Sequence, residues 1–280
     1  MQKKVSVIIR VYDRIDDLSH NLHIISQLWT KHDYHITVVF NGQEAGYELT
    51  EEITANASHI INLEQNAGHL KGNSQLILEA HKQQTKESDF TILLEADTWL
   101  MNDTLIDTYI HRLSSSDAVW ASSEWVEARW SLGLDFILMK SSFFQQEGLT
   151  LFNFEKRPEM SICETLLEKQ FSFIYITELM PVHRPSLIKS IYNADGGRIR
   201  LFPRAYTLTH HIEDLKGGMA EKLYLADIMR TKPFFTMSTP SDLLIQNVKY
   251  RLIEFILRIT PRSTWFKKKR YTFKGNTISK

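Results

Sequence analysis

The sequence predicts an α/β fold with a mostly parallel, doubly wound central sheet. Three observations predict it. Short β-branched runs have the apolar pattern of strands buried on both faces, the segments between them have helical spacing, and polar residues gather just after each run. The chain has 280 residues, room for one large α/β domain or one domain with an appendage.

Val5–Val11 is a β-branched run and reads as the first buried strand. Residues 15–28 set Ile15, Leu18, Leu22, Ile25 and Leu28 three or four apart, which predicts an amphipathic helix. His35–Phe40 is a second buried strand and His59–Leu63 a short third. Helical spacing returns over Leu70–His81, and Phe90–Leu94 is a fourth strand. Beyond residue 100 the pattern is less regular. Strands are expected at Ala118–Ser122, Asp135–Lys140 and Phe173–Thr177, and a helix over 161–171. A loop is expected over 193–204, around Asp195-Gly196-Gly197 and several arginines. An apolar helix is expected over 241–259, ended by Pro261.

A 43% apolar and 24% charged composition excludes disordered and collagen-like classes. Cys163 is the only cysteine, so no intrachain disulfide forms, which suits a reducing cytoplasm. The start, Met1-Gln2-Lys3-Lys4 before Val5–Ile9, is too short for a signal peptide, and no uncharged apolar stretch reaches the roughly 18 residues of a membrane span. The zero net charge is unevenly spread. Residues 249–280 hold ten Lys or Arg and one acid, Glu254, while the rest holds 23 bases and 32 acids. The apolar run Ile245–Ile259, followed by Arg262, Trp265, Lys267–Arg270 and Lys274, has the character of a segment that binds anionic membrane surfaces. The acidic remainder argues against nucleic acid as a partner. The expected location is the cytoplasm, peripheral on the inner face of the cell membrane.

In an open parallel sheet, ligands bind beyond the carboxyl ends of the strands. After the first strand comes Tyr12-Asp13-Arg14, and after the second Asn41-Gly42. After the third come Asn66-Ala67-Gly68-His69 and Lys71-Gly72-Asn73, and Glu95-Ala96-Asp97 ends the fourth. Each piece alone is ordinary turn chemistry. Four in succession, ending on two carboxylates one residue apart, point to a site that presents oxygens to one divalent cation and, through it, to diphosphate.

Val5 to Arg14 (VSVIIRVYDR) resembles the opening of the family 2 glycosyltransferases, usually SVIIPTYNR, and of GT-A enzymes more broadly. Asn66-x-Gly68-x-x-x-Gly72-Asn73 resembles the family's N-x-G-x-x-x-x-N segment near the nucleotide. Asp89 to Leu100 (DFTILLEADTWL) is similar to the strand delivering the D-x-D motif, with Glu95 in the first acid's place. Phe136 to Phe144 resembles the strand and helix start lining the acceptor side, and Glu159 to His183 the catalytic segment. The likeness covers roughly residues 3 to 185. It departs at Arg10, where proline is usual, at Asn41-Gly42, where Asp-Asp is frequent, and at Met160, where a second acid is usual after Glu159.

The resemblance implies a GT-A type Rossmann-like sandwich over residues 1–210 and a helical, basic extension over 211–280. Residues 1–100 would be the nucleotide-sugar half and 101–210 the acceptor half. It implies a metal-dependent transfer of a sugar from a nucleoside-diphosphate donor to a glycan or lipid-linked acceptor hydroxyl with inversion, in bacterial-type surface polysaccharide or glycoconjugate synthesis. Val11, Tyr12, Asp13, Arg14, Asn41, Asn66, Gly68, Lys71, Asn73, Glu95 and Ala96 would bind the donor. Asp97, with Glu95, would bind Mn²⁺ or Mg²⁺. A histidine ligand favours Mn²⁺, and His183 is preferred over His210-His211, of which His211 is the alternative ligand. Glu159 is the expected general base, with Glu164 in reserve. Arg198, Arg200 and Arg204 are candidate phosphate contacts, and Trp120, Trp125 and Trp130 offer either sugar-stacking surface or core.

Two other readings keep the fold. A sugar-1-phosphate nucleotidyltransferase would carry a glycine-rich loop after its first strand, and Arg10–Arg14 contains no glycine. An inactive carbohydrate-binding or scaffold protein is allowed by the substitutions at Glu95 and after Glu159.

Overall fold

A computed structural model describes residues 2–84, 87–125, 130–179, 201–202, 207–208, 218–229, 271–272 and 277–278. Seven strands form the central sheet: β1 (Lys4–Val11), β2 (Asp33–Phe40), β3 (His59–Asn62), β4 (Phe90–Glu95), β6 (Trp120–Ser122), β7 (Phe136–Lys140) and β8 (Phe173–Tyr175). Their order is β3-β2-β1-β4-β7-β6-β8. All neighbours run parallel except β7, which is antiparallel to both β4 and β6. A second, small antiparallel sheet joins β5 (Trp99–Leu100), β10 (Thr207–Leu208) and β9 (Leu201–Phe202).

Helices cover both faces, as the continuous apolar strands require. On one face, Val5, Val7, Ile9 and Val11 of β1 pack with Leu18, Leu22 and Ile25 of α1 (Ile15–Leu28). The same core takes Ile53 of α2 (Glu51–Asn56) and Leu105, Ile106, Tyr109, Ile110 and Leu113 of α4 (Thr104–Ser114). On the other face, Ile8 packs with Leu76, Ile77 and Ala80 of α3 (His69–Gln83) and with Phe143 and Phe144 of α5 (Ser141–Leu151). Ile162, Cys163 and Leu166 of α6 (Pro158–Glu168) complete that core. Each large aliphatic buried this way contributes roughly 1.5–3 kcal/mol. The alternation along β1 assigns Arg10 to the α3 face, the face of Ile8.

The local chemistry explains the ends of these elements. Thr50 caps α2 by accepting from the Ile53 amide at 3.3 Å. Asp103, just before α4, accepts from the Thr30 and Lys31 amides at 2.7 and 2.6 Å and from the Tyr34 hydroxyl at 3.1 Å, so it locks the α1–β2 connection. Pro158 starts α6, three residues before the helix expected over 161–171, and Gln170 at φ 60 lies past its end. The strand expected at Phe173–Thr177 stops at Tyr175, because Thr177 opens a 3₁₀ turn, and the one expected from Ala118 begins at Trp120. Leu201–Phe202 is strand within the segment expected as loop. One further helix, α7 (Gly218–Met229), follows β10. The expected helix over 241–259 lies outside the described residues. Among the described residues, no helix is long and apolar enough to cross a membrane.

Candidate active site

From β1 the chain steps outward to β2 and β3, then returns to β4 on the other side of β1. The carboxyl ends of β1 and β4 therefore flank the point where the strand order reverses, the place where open α/β sheets bind ligands. Arg10 and Glu95 are register partners there.

On the β1 side, Val11 is buried and its carbonyl accepts from the Asn41 amide at 3.4 Å. Tyr12 is 38% exposed and meets Tyr47 edge-on, with ring centroids 5.6 Å apart. Asp13 pairs with Arg14 at 3.8 Å, directly before α1. Asn41 is buried after β2, and its Nδ2 donates to Asn66 Oδ1 at 3.3 Å and to the Gly72 carbonyl at 3.4 Å. The two glycines here serve close approach rather than turn geometry. A Cβ on Gly42 would meet the Tyr12 carbonyl at 2.0 Å, and one on Gly72 would meet Asn66 Oδ1 at 2.0 Å. Gly68 stands at φ 92 before α3, a conformation that favours glycine. Asn66 Oδ1 accepts from the Gly68 amide at 3.0 Å, and Gln75 Oε1 from the Ala67 amide at 3.1 Å. α3 starts directly after this turn, and its leading amides lie outside the intrahelical ladder, an arrangement suited to phosphate. Lys71 is tied to Glu155 at 2.8 Å on the surface.

Arg10 is the centre of the site and only 4% exposed. Its Nη1 donates to Asn73 Oδ1 at 2.6 Å and its Nη2 to the Leu134 carbonyl, while Glu95 Oε1 lies 3.6 Å from Nη2. Burial pulls the guanidinium pKa down, and the charges of Glu95, Asp135 and Asp97 raise it again. Glu95 is half-buried, and Ala96 and Asp97 are buried in the turn that follows. The Glu95 amide donates to the Asp135 carbonyl at 3.0 Å and the Ala96 amide to the Arg10 carbonyl at 3.2 Å.

A magnesium-type ion that keeps water and substrate phosphate in its shell needs only one or two protein carboxylates. Asp97 and Glu95 meet that count with hard oxygens, although Arg10 already holds one side of Glu95, which leaves Asp97 the fuller donor. Among the described residues, no group of three or more His, Cys, Asp or Glu side chains is gathered to hold a metal. His183 and His211 lie outside the described residues, as do Arg198, Arg200 and Arg204.

The segment 130–135 connects this edge to α6. The Leu134 carbonyl faces Arg10, and the Leu132 amide donates to the Glu159 carbonyl at 2.9 Å. Glu159 is half-buried in the first turn of α6. Glu164 is exposed and lines a cleft of about 640 Å³ with Trp130, Arg157 and Ser161. The three tryptophans divide. Trp120 is wholly buried and stacks on Phe152, Trp130 packs at the edge of the same core, and Trp125 is 37% exposed. Nearby, burial pushes the Cys163 thiol up to about 12.

Several residues of the site are absent from the sequence-based set. Arg10 had a signal: a charge inside a buried strand is costly unless paired. Asp135 is buried beside it. Asp17, Asn21 and Lys222 lie beneath the Asp97 turn. Lys222 of α7 donates to Asp17 Oδ1 at 2.5 Å and to the Asp97 carbonyl at 2.6 Å, a contact across 125 positions that no local pattern reveals.

No family model matches the chain, and no curated protein does. Among solved structures it is similar to a mannosyltransferase from Pyrobaculum calidifontis in complex with GDP-Man and Mn²⁺, at 9% identity and TM-score 0.49, over 93% of this chain and 71% of that one. It is also similar to the glycosyltransferase GlyE of Streptococcus pneumoniae, at 13% identity and TM-score 0.42, over 62% of this chain and 45% of that one. A Drosophila galactosyltransferase in complex with manganese, UDP-Gal and xylobiose is similar at 11% identity and TM-score 0.40, over 62% of this chain and 64% of that one.

Proposed function

We propose that the chain is a metal-dependent glycosyltransferase with a GT-A type fold, moving a sugar from a nucleoside-diphosphate donor to a hydroxyl of a glycan or lipid-linked acceptor with inversion. One observation carries the reading: the candidate donor residues after β1 and β2, the start of α3 and the acids ending β4 converge on the β1/β4 switch point. Asn41, Asn66 and the α3 amides would hold the nucleotide and its phosphates. Asp97, with Glu95, would hold Mn²⁺ or Mg²⁺, which when bound neutralises charge on the departing diphosphate. Glu159 would take the proton of the acceptor hydroxyl as its oxygen bonds to the anomeric carbon and the bond to the diphosphate breaks; Glu164 is the reserve base. The 1–100 half would serve the donor and the 101–210 half the acceptor, in surface polysaccharide or glycoconjugate synthesis.

The test is thermal stabilisation by UDP, GDP, CMP and TDP, each with and without Mn²⁺. A shift with a nucleoside diphosphate, abolished by EDTA and by Asp97→Asn, is expected. An unchanged shift in Asp97→Asn overturns the metal assignment. A second reading, an inactive carbohydrate-binding protein, is favoured by the Arg10–Glu95 contact at 3.6 Å, and no metal-linked shift with any nucleotide would support it. The basic run 249–280 would place the enzyme on the cytoplasmic face of an anionic membrane, near a lipid-linked acceptor. Deleting residues 261–280 should weaken binding to anionic liposomes and leave turnover of a soluble acceptor intact; equal liposome binding removes this part of the reading.

A further inference from the structure

We propose that Lys222, together with Asn21, is a positioning residue for Asp97: the two side chains fix the turn that carries that carboxylate. The inference rests on the reading of Asp97 as a cation ligand given above.

The carbonyls of that turn make the case. Glu95 O accepts from the Thr98 amide at 3.0 Å. Ala96 O accepts from Asn21 Nδ2 at 3.1 Å, and Thr98 O from the same nitrogen at 3.0 Å. Asp97 O accepts from Lys222 Nζ at 2.6 Å. Four consecutive carbonyls are therefore held, three of them by side chains from outside the turn. A peptide in a short turn can flip at little cost when its oxygen faces water. Here a flip at 96, 97 or 98 would strand a buried polar group, which is expensive.

Lys222 is itself held from three directions. Its ammonium lies 2.5 Å from Asp17 Oδ1, 2.6 Å from the Asp97 carbonyl and 4.2 Å from the centroid of the Trp99 ring. The Trp99 indole in turn donates to the Asp17 carbonyl at 3.2 Å. Lys222 is 2% exposed and Asn21 fully buried. An ammonium is seldom buried so completely, and packing alone would be met by an apolar side chain. What the ammonium adds is a second cation among the acids of this edge, where Arg10 already answers Glu95, Asp135 and Asp97. It also holds the main chain of Asp97, while its ion pair is with Asp17 rather than with the Asp97 carboxylate, which leaves those oxygens to a cation. Supporting groups of this kind orient the ligands they hold, and losing one typically costs roughly 10–100-fold in metal affinity.

The test measures Mn²⁺ binding to the full chain from the free-ion electron paramagnetic resonance signal, at a temperature where circular dichroism shows each variant folded. The set is wild type, Asp97→Asn, Lys222→Met, Lys222→Arg and Asn21→Ala. Lys222→Met should weaken Mn²⁺ binding by about tenfold or more. Asn21→Ala should weaken it in the same direction, and Lys222→Arg should restore most of the affinity, which a role in bulk stability alone would not produce. Wild-type affinity in folded Lys222→Met, with binding lost in Asp97→Asn, overturns the positioning role and leaves the ligand reading standing. Wild-type affinity in Asp97→Asn overturns the ligand reading and the positioning role with it. If Lys222→Met does not fold, Asn21→Ala decides: weakened binding supports the proposal and unchanged binding overturns it.

Discussion

Asp17 has no exposed surface, and its carboxyl is pushed up to about 6, because burial disfavours the charged form more than the Lys222 ammonium favours it. Its second oxygen finds no partner among the described residues. A carboxyl raised on folding binds its proton more tightly in the folded state. Its contribution to stability is therefore full below the unfolded value near 3.8 and is lost as pH rises through about 6. Lys222→Met removes the partner that limits the rise, so the loss continues to higher pH in the variant. The expected deficit against wild type is roughly 1 kcal/mol at pH 5, where Asp17 is largely protonated, and about 3 kcal/mol or more at pH 8. Urea denaturation at the two pH values reads it directly. A deficit that is the same at both would show that Asp17 and Lys222 are not coupled in this way.

At the scale of elements, β1, α1, β2, β3, α3 and β4 lie within about two residues of where their sequence patterns put them, in line with the usual uncertainty of element ends. Mostly apolar, β-branched runs and clean helical spacing leave little choice there. The direction of β7 was not legible, because an apolar run buried on both faces looks the same parallel or antiparallel. α4 carries a readable signal in Leu105, Ile106, Tyr109, Ile110 and Leu113, whereas α2 is too short, at six residues, to show a period. Asn41-Gly42 reads as a turn, but in the fold Gly42 is a point of close approach to the Tyr12 backbone, which only the tertiary structure creates. The site followed the same division. Residues at strand ends were legible because the sheet collects them at one edge. Arg10 was visible as a departure from a pattern but not as the hub joining Asn73, Leu134 and Glu95, since those partners come from three separate elements. Lys222 meets Asp17 across 205 positions, and nothing in the alternation or spacing around either residue marks the pair.

At the scale of the whole molecule, the two halves expected from the sequence share both cores. Phe136, Leu138 and Ile176 pack with Val5 and Ile9 on one face, and Cys163, Leu166 and Tyr175 belong with Ile8, Val39 and Ile61 on the other. The antiparallel ladder from Phe90–Lys140 to Leu94–Phe136 joins the halves through the sheet itself. Cys163 makes this coupling measurable. It is wholly buried, and its thiol is raised to about 12 by burial. At pH 8 only about one such thiol in ten thousand is ionised, so a thiol-specific reagent reacts through opened molecules. If residues 101–179 opened apart from the first hundred, Cys163 would be labelled at urea concentrations that leave the far-ultraviolet circular dichroism of α1 and α3 intact. Shared cores and a continuous sheet argue for one cooperative transition instead. The expected outcome is negligible labelling in the native state and a labelling midpoint that coincides with the loss of helical signal. A labelling midpoint clearly below the spectroscopic one would mean that residues 101–179 open alone, and that the β4–β7 ladder is too weak to bind the halves into one folding unit.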